Sequence, residues 1–366
     1  MKFETKIVTL LMCVALSLLS SCNKKLPDTP VQEQQVPVGF RAMSQAVWVK
    51  SGETDPDKPK FSDIHDDFGV WGIARQEGIQ SPYILWSSNG LTKVEELTTD
   101  PGVYAPVTAA YWIKDYKYNF LAIAPYTDLG TTPIFTAGNP DATPATSDIM
   151  TFTYDMSSKY AGIPANGSTP AVAPDYDFDL LGAAAETQKI QSGHTASQSL
   201  IFWHLFTKIA INVTFSGLGN DADGNPIIGS VTEMRLNGVD SEGTYTIAYD
   251  DTKTNDLAVS CISNSNKETT VTFSGATGTV HVLPQNITDF EMYIDFTIGD
   301  VTYTEFKLNL DIQTAANPNG TNPSEYKYNE NYAWNITIGP KEDISFKVEV
   351  TPWVEEQVND NDIEIL

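Results

Sequence analysis

The sequence predicts an all-β protein made of two β-sandwich domains. Three observations lead to that class. Residues 331–353 read as a hairpin: Tyr332, Trp334, Ile336 and Ile338 share one parity, and Ile344, Phe346, Val348 and Val350 share another beyond a Gly339-Pro340 turn. Side chains alternate across a strand, so each half presents one apolar and one polar face. Similar short alternating runs recur along the chain, in a composition rich in Thr, Tyr, Phe, Val, Asn and Gly, which favours strands and turns over helices. Outside the first 22 residues no apolar stripe at helical spacing lasts three turns. At 366 residues, with 41% hydrophobic residues, the chain is long enough for more than one core.

The elements follow in order. Lys2 and Lys6 precede an apolar run from Ile7 to Leu19, which is too short to span a bilayer. It ends in Leu19-Ser20-Ser21-Cys22, which resembles a bacterial lipobox. That resemblance implies a signal peptide over residues 1–21 and lipidation of Cys22. Acyl chains contribute roughly 0.8 kcal/mol per buried methylene, so two or three of them hold a protein firmly on a membrane. Cys13 leaves with the signal, and Cys261 remains as the single free thiol, so no internal disulfide forms. Cys261 sits in Leu257–Ile262 and reads as a small buried hydrophobe.

Residues 22–35 are a polar tether with Pro27 and Pro30. Val36, Val38 and Phe40 then alternate as a first strand, whereas Val47 and Val49 continue on the opposite parity. A loop or bulge is therefore expected between Arg41 and Ala46. Residues 68–74, 83–86, 110–113 and 118–124 read as further strands. Residues 127–179 are poor in aliphatics, and one-turn helices or short strands are expected there. The boundary falls near residue 190, giving domains of 36–190 and 191–366. Strands of the second domain are expected within 200–215 and over 230–236, 243–248, 270–273, 279–283, 290–298 and 303–312, with Gly299-Asp300 as a hairpin turn.

The charge is −25, and lysines and arginines never cluster beyond a pair, which argues against nucleic acid and anionic membrane surfaces as partners. His65, His194, His204 and His281 are scattered without zinc-type spacing, so no metal or other cofactor is expected. His204, in an apolar run, reads as a hydrogen-bonded core imidazole. Asp221-Ala222-Asp223-Gly224-Asn225 lacks the ligands of a calcium loop and reads as a tight turn. Nucleophile-elbow and phosphate-loop motifs are missing, and no carboxylate pair stands out, so an enzyme is not expected. Trp48, Trp86 and Trp353 lie near strand ends, where they serve either as rim packing or as a sugar-stacking platform. The second option gives an alternative reading, a surface glycan-binding lipoprotein.

Several stretches taken in order resemble the fimbrillin-like family, the subunits of type V pili: the lipobox, Val36–Phe40, Phe68-Gly69-Val70-Trp71, Tyr118–Tyr126, Asp179-Leu180-Leu181, Phe202–Phe215, and the closing YAWNITIG and ISFKVEVTPW runs. The resemblance implies two tandem transthyretin-like β-sandwiches and an outer-membrane lipoprotein of the cell surface, with other fimbrial subunits as partners and a role in adhesion. It further implies assembly by donor-strand exchange. A protease cuts after Arg41, the strand bearing Val36, Val38 and Phe40 leaves, and a neighbour's C-terminal segment fills the groove. The donor is then Ile363 and Ile365, or alternatively the strand carrying Ile344, Phe346, Val348 and Val350.

Overall fold

The computed structural model describes residues 36–352, leaving out 45–66, 87–89, 127–131, 140–145, 163–170, 253–256, 287–289, 309–324, 341–343 and positions 80, 193, 195 and 251. Residues 1–35 and 353–366 lie outside the described residues, and with them Cys22, the tether, Ile363 and Ile365, as do Val47, Val49, Trp48 and Trp353.

The first six strands are β1 (Phe40–Ser44), β2 (Asp67–Gln76), β3 (Tyr83–Ile84), β4 (Thr92–Glu96), β5 (Tyr104–Pro106) and β6 (Tyr116–Ala124). The 127–179 stretch supplies β7 (Ile134–Thr136), β8 (Ile149–Asp155) and the one-turn helix α1 (Ser157–Ala161), the short elements expected there. Then come β9 (Leu181–Glu186), β10 (Gln198–His204), β11 (Thr207–Phe215), β12 (Gly229–Asp240), β13 (Glu242–Tyr249) and β14 (Leu257–Ser263). The last six are β15 (Glu268–Ser274), β16 (Thr277–Val282), β17 (Glu291–Ile298), β18 (Val301–Leu308), β19 (Glu330–Ile338) and β20 (Ile344–Pro352).

The first sheet runs β3-β2-β4-β5-β1-β10-β9-β6, and β6 pairs back onto β2, so seven of its strands close a ring. Inside the ring lie Phe40, Phe68, Val70, Tyr104, Tyr118, Phe120, Leu200 and Phe202. The outer side of the ring is also covered. Trp71, Ile73, Leu121, Ile123 and Ala184 belong to a second core shared with Met150, Phe152, Tyr245 and Ile247. Burial on both faces explains why β2 and β6 are continuous apolar runs and not alternating ones. Trp71 stacks on Phe135 at 4.9 Å and Phe152 stacks on Tyr245 at 5.3 Å, which ties the covering sheet together and to the ring. That covering sheet has the order β14-β13-β8-β7.

The C-terminal sandwich has two four-stranded sheets, β16-β11-β19-β20 and β15-β12-β17-β18. The closing hairpin forms as read: Tyr332 faces Val350, Trp334 faces Val348 and Ile336 faces Phe346, while Tyr332, Trp334, Ile336 and Ile338 are fully buried. Ile298 and Val301 pair across Gly299-Asp300, the expected two-residue turn. Strand membership does not change at residue 190. β10 closes the first ring, and β13-β14 cover its outer side, so the chain passes between the ring layers and the sandwich three times, at Leu205-Phe206, at Ser241 and over Asn264–Lys267.

Two other expectations are corrected. The first strand begins at Phe40, not Val36, and continues through Arg41 to Ser44 with no register shift, held by parallel pairing to β10. The loop or bulge expected after Arg41 is therefore not within residues 41–44. Residues 110–113 contribute one bridge, Pro37 to Tyr111, in place of a strand. β4, β5, β9 and β14 do not stand out in the sequence; β5 is three residues long, and the solvent-facing positions of β14 are weakly patterned.

Candidate functional site

The N-terminal segment 36–44 lies inside the ring and is not a loose tail. Val38 and Phe40 are 1% and 0% exposed, and Val36 packs at the edge of the same core. Phe40 is caged edge-on by Phe120, with ring centroids 5.1 Å apart, and by Phe68 at 6.1 Å. The backbone is held from both sides. The Val38 amide donates to Ala110 O, the Trp112 amide to Val36 O and the Gln198 amide to Gly39 O, at 2.8, 3.0 and 2.8 Å. Burying Val38 and Phe40 contributes roughly 2 kcal/mol each. Beyond Phe40 the pairing to β5 ends, whereas the pairing to β10 continues through Ser44. Arg41 is thus in a strand with an exposed side chain and a backbone partner on one side.

The wall opposite this segment is pinned by Tyr118. Its hydroxyl accepts from the Ile113 amide at 2.6 Å and donates to Tyr111 O at 3.2 Å, so residues 111–113 are stapled to β6. Burial pushes the phenol up to about 12. The sandwich repeats this corner at the same spacing. Tyr332 OH accepts from the Lys327 amide and lies 3.0 Å from Glu325 O, again five and seven residues back. Asp115 and Asn329, three residues before each tyrosine, both have positive φ. Trp112 meets Tyr118, and Tyr326 meets Tyr332, edge-on at 4.8 Å in both cases. The bridge of Pro37 to Tyr111 has its counterpart in Asn286 to Glu325, and the Trp112-to-Val36 hydrogen bond in Tyr326-to-Gln285. Segment 36–38 therefore occupies in the ring the place that 285–286 occupies in the sandwich. The difference is chain connectivity: 285–286 lies between two described strands, whereas 36–38 precedes β1, the first strand among the described residues. Sequence reading missed this repeat because it is carried by aromatic-x2-Asp/Asn-x2-Tyr-x-aromatic, a pattern too sparse to notice without the geometry.

The remaining singled-out residues fall as follows. β20 pairs with β19 over its full nine residues at the edge of its sheet; Val348 is fully buried and Val350 partly so, while the side chains of Ile344 and Phe346 lie outside the description. His204 is a buried core imidazole with Nδ1 2.7 Å from Asp179 Oδ2. Asp221 caps its own turn by accepting from the Asp223 and Asn225 amides. Trp86 is half-buried, donates from Nε1 to Thr108 O at 2.7 Å and leans on Phe120, so its ring is engaged in packing. Cys261 is partly buried at the core's edge, and burial raises its thiol to about 12.

A family profile described as fimbrillin-like matches residues 62–353. The chain belongs to the fimbrillin-like family. It is a fimbrial, adhesion-type protein of the cell surface, and its family is a structural one. The match begins beyond the N-terminal segment described above. Among solved structures, a candidate cell adhesion protein from Bacteroides uniformis ATCC 8492 is 18% identical, covering 88% of this chain and 99% of its own, with a TM-score of 0.47. A fimbrilin from Porphyromonas gingivalis W83 is 10% identical over 88% and 99%, with a TM-score of 0.40. A fimbrial assembly protein from Parabacteroides distasonis ATCC 8503 is 12% identical over 87% and 98%, with a TM-score of 0.34. No curated protein matches this fimbrillin-like chain.

Proposed function

We propose that this chain is a fimbrial subunit that polymerises by strand exchange after processing. The precursor is lipidated at Cys22 and anchored in the outer membrane. A trypsin-like protease cuts after Arg41. Segment 36–41 then leaves, taking Val38 and Phe40 out of the ring. The observation that carries this reading is the placement of segment 36–41, ahead of Arg41's carboxyl side, as a full member of a core, matched in the sandwich by a segment that lies between two strands.

Loss of the segment exposes apolar side chains of the ring, Phe68, Tyr104 and Phe120 among them, and unpairs the backbone of residues 110–112. Such an opening is a liability until another strand fills it. The donor is the segment after Pro352, whose Ile363 and Ile365 alternate with Asp362 and Glu364. β20 is the less suitable donor, because its departure would uncover Trp334 and Ile336 in its own sandwich. Each replaced ladder hydrogen bond contributes about 1 kcal/mol net.

Limited trypsin treatment of purified precursor tests the proposal. SDS-resistant ladders are expected from the wild type and none from Arg41→Ala. A trimmed product that stays monomeric in native mass spectrometry would refute it. Adhesion, whether to protein or glycan, is assigned to the assembled fibre.

A further inference from the structure

We infer that the segment after Pro352, in the unassembled chain, adds as an extra strand to the outer edge of β14 in the same molecule. β14 ends the β14-β13-β8-β7 sheet. The Asn264 amide donates to Glu242 O, directly opposite it in the β13-β14 register. Hydrogen-bonded pairs alternate along an antiparallel ladder, so the backbones of Ile262 and Ser260 also face β13. The amides and carbonyls of Val259, Cys261 and Ser263 therefore point the other way, and among the described residues no strand pairs with them. A groove of about 660 Å³ runs beside Val259–Ser263, with Pro284–Asn286 and Glu325–Tyr328 as its far wall.

The other sheet ends are guarded in the ways that keep edge strands from pairing. β3 and β7 are two and three residues long. Tyr176 stands between the edges of β15 and β16: its carbonyl accepts from the His281 amide and its hydroxyl from the Thr272 amide. β18 is irregular at Glu305, which has positive φ, and carries Lys307. β20 carries Lys347 and Glu349 and closes on Pro352. β14 has none of these devices. Its seven residues, Leu257–Ser263, include no charge and no proline, and their register on β13 is unbroken. An edge of that kind is a template for an added strand.

Position, length and pattern make the chain's own tail the occupant. β20 brings Pro352 opposite Glu330, two residues beyond the groove wall at Tyr328. Strand spacing and chain geometry put Pro352 within about 12 Å of Tyr328. The 14 residues 353–366 follow. Extended, they reach roughly 46 Å, enough to cross that gap and lie along the ~16 Å of Val259–Ser263. Ile363 and Ile365 alternate with Asp362 and Glu364, so a strand there turns its apolar side chains one way and its carboxylates the other. The carboxylates meet no charge on β14, and Lys327 in the far wall offsets Glu325. The net charge of −25 is largely screened beyond ~8 Å at physiological ionic strength, so this local balance decides. The tether also supplies about millimolar local concentration, which a separate molecule in dilute solution does not match. Docked on β14, the segment is withheld from neighbouring subunits until another groove takes it.

The test uses the uncut chain, residues 22–366, made without lipid and carrying Arg41→Ala. No segment then leaves the ring, so a failure here is distinct from a failure of strand exchange. Amide hydrogen exchange is followed residue by residue in this chain, in the same chain ended at Pro352, and in a full-length Ile363→Asp/Ile365→Asp chain. The Val259, Cys261 and Ser263 amides are expected to exchange at least about tenfold faster in both variants, the factor that 1.4 kcal/mol of lost local stability gives. Ser260 and Ile262, whose backbones face β13, are expected to change less, which separates loss of an added strand from general loosening. Protection is expected to be independent of protein concentration. Equal rates in all three chains overturn the inference, as does protection that survives either change. Protection that appears only as concentration rises also overturns it, and makes a second copy the occupant.

Discussion

Phe40→Ala is the substitution that most directly tests the role of the N-terminal segment. Phe40 is fully buried, with its ring edge-on to Phe120 at 5.1 Å and to Phe68 at 6.1 Å. Replacing a buried phenylalanine by alanine costs about 3–5 kcal/mol, from lost transfer energy and the cavity left behind. The neighbours are ring strands paired on both sides, so the site cannot collapse to recover much of it. With urea slopes of about 1–3 kcal/mol per molar, the midpoint of the ring should fall by at least ~1 M. Tryptophan fluorescence reports it, since Trp112 lines the same core. If opening of the segment limits cleavage after Arg41, a loss of about 3 kcal/mol raises the open population and the trypsin cleavage rate by ~100-fold. Arg41→Ala serves as the contrast. Its side chain is exposed, so the midpoint should stay within about 0.5 kcal/mol while the cut disappears. A Phe40→Ala midpoint within about 1 kcal/mol of wild type, with unchanged cleavage, would refute the view that this segment is a structural plug.

Three further outcomes are expected. Tyr118→Phe removes the hydroxyl that serves the Ile113 amide and Tyr111 O, and should destabilise the ring by about 1–3 kcal/mol with faster proteolysis at 110–113; Tyr332→Phe should do the same to the sandwich. His281 is held below its usual 6.5, chiefly by burial, with Asp179, Asp177 and the Phe178 carbonyl opposing the shift and His204 adding to it. The unfolded state then takes up the proton first as pH falls, so this contribution is complete well above 6.5 and is progressively lost as pH falls through and below it. Urea midpoints should drop over that fall in pH for wild type and drop less for His281→Gln. Cys261, with its thiol at about 12, should resist iodoacetamide at pH 8 in the folded chain and label promptly in urea; fast native labelling would contradict its place at the core's edge.

Parity in the linear chain was sufficient to define the closing hairpin, the Gly299-Asp300 turn and the all-β class, because side-chain alternation is local and does not depend on what the strand packs against. It also marked Val38 and Phe40 as inward-facing before any partner was known. Parity could not show which strands pair. β10 lies beyond residue 190 yet completes the ring, and β13 leaves the sandwich at Ser241 to pair with β8, because sheet membership is decided by which apolar surfaces remain uncovered. Nor could it place Arg41 within a strand, because the pairing of residues 40–44 with β10 is made to a segment more than 150 residues away. The corner tyrosines were equally hidden, because they depend on hydrogen bonds to carbonyls seven residues back. What the amino-acid order settled by itself was the period of each strand and the charge of the whole. Three-dimensional packing alone settled which strands lie together, since that choice depends on contacts between residues distant in sequence, whose combined burial outweighs any local preference.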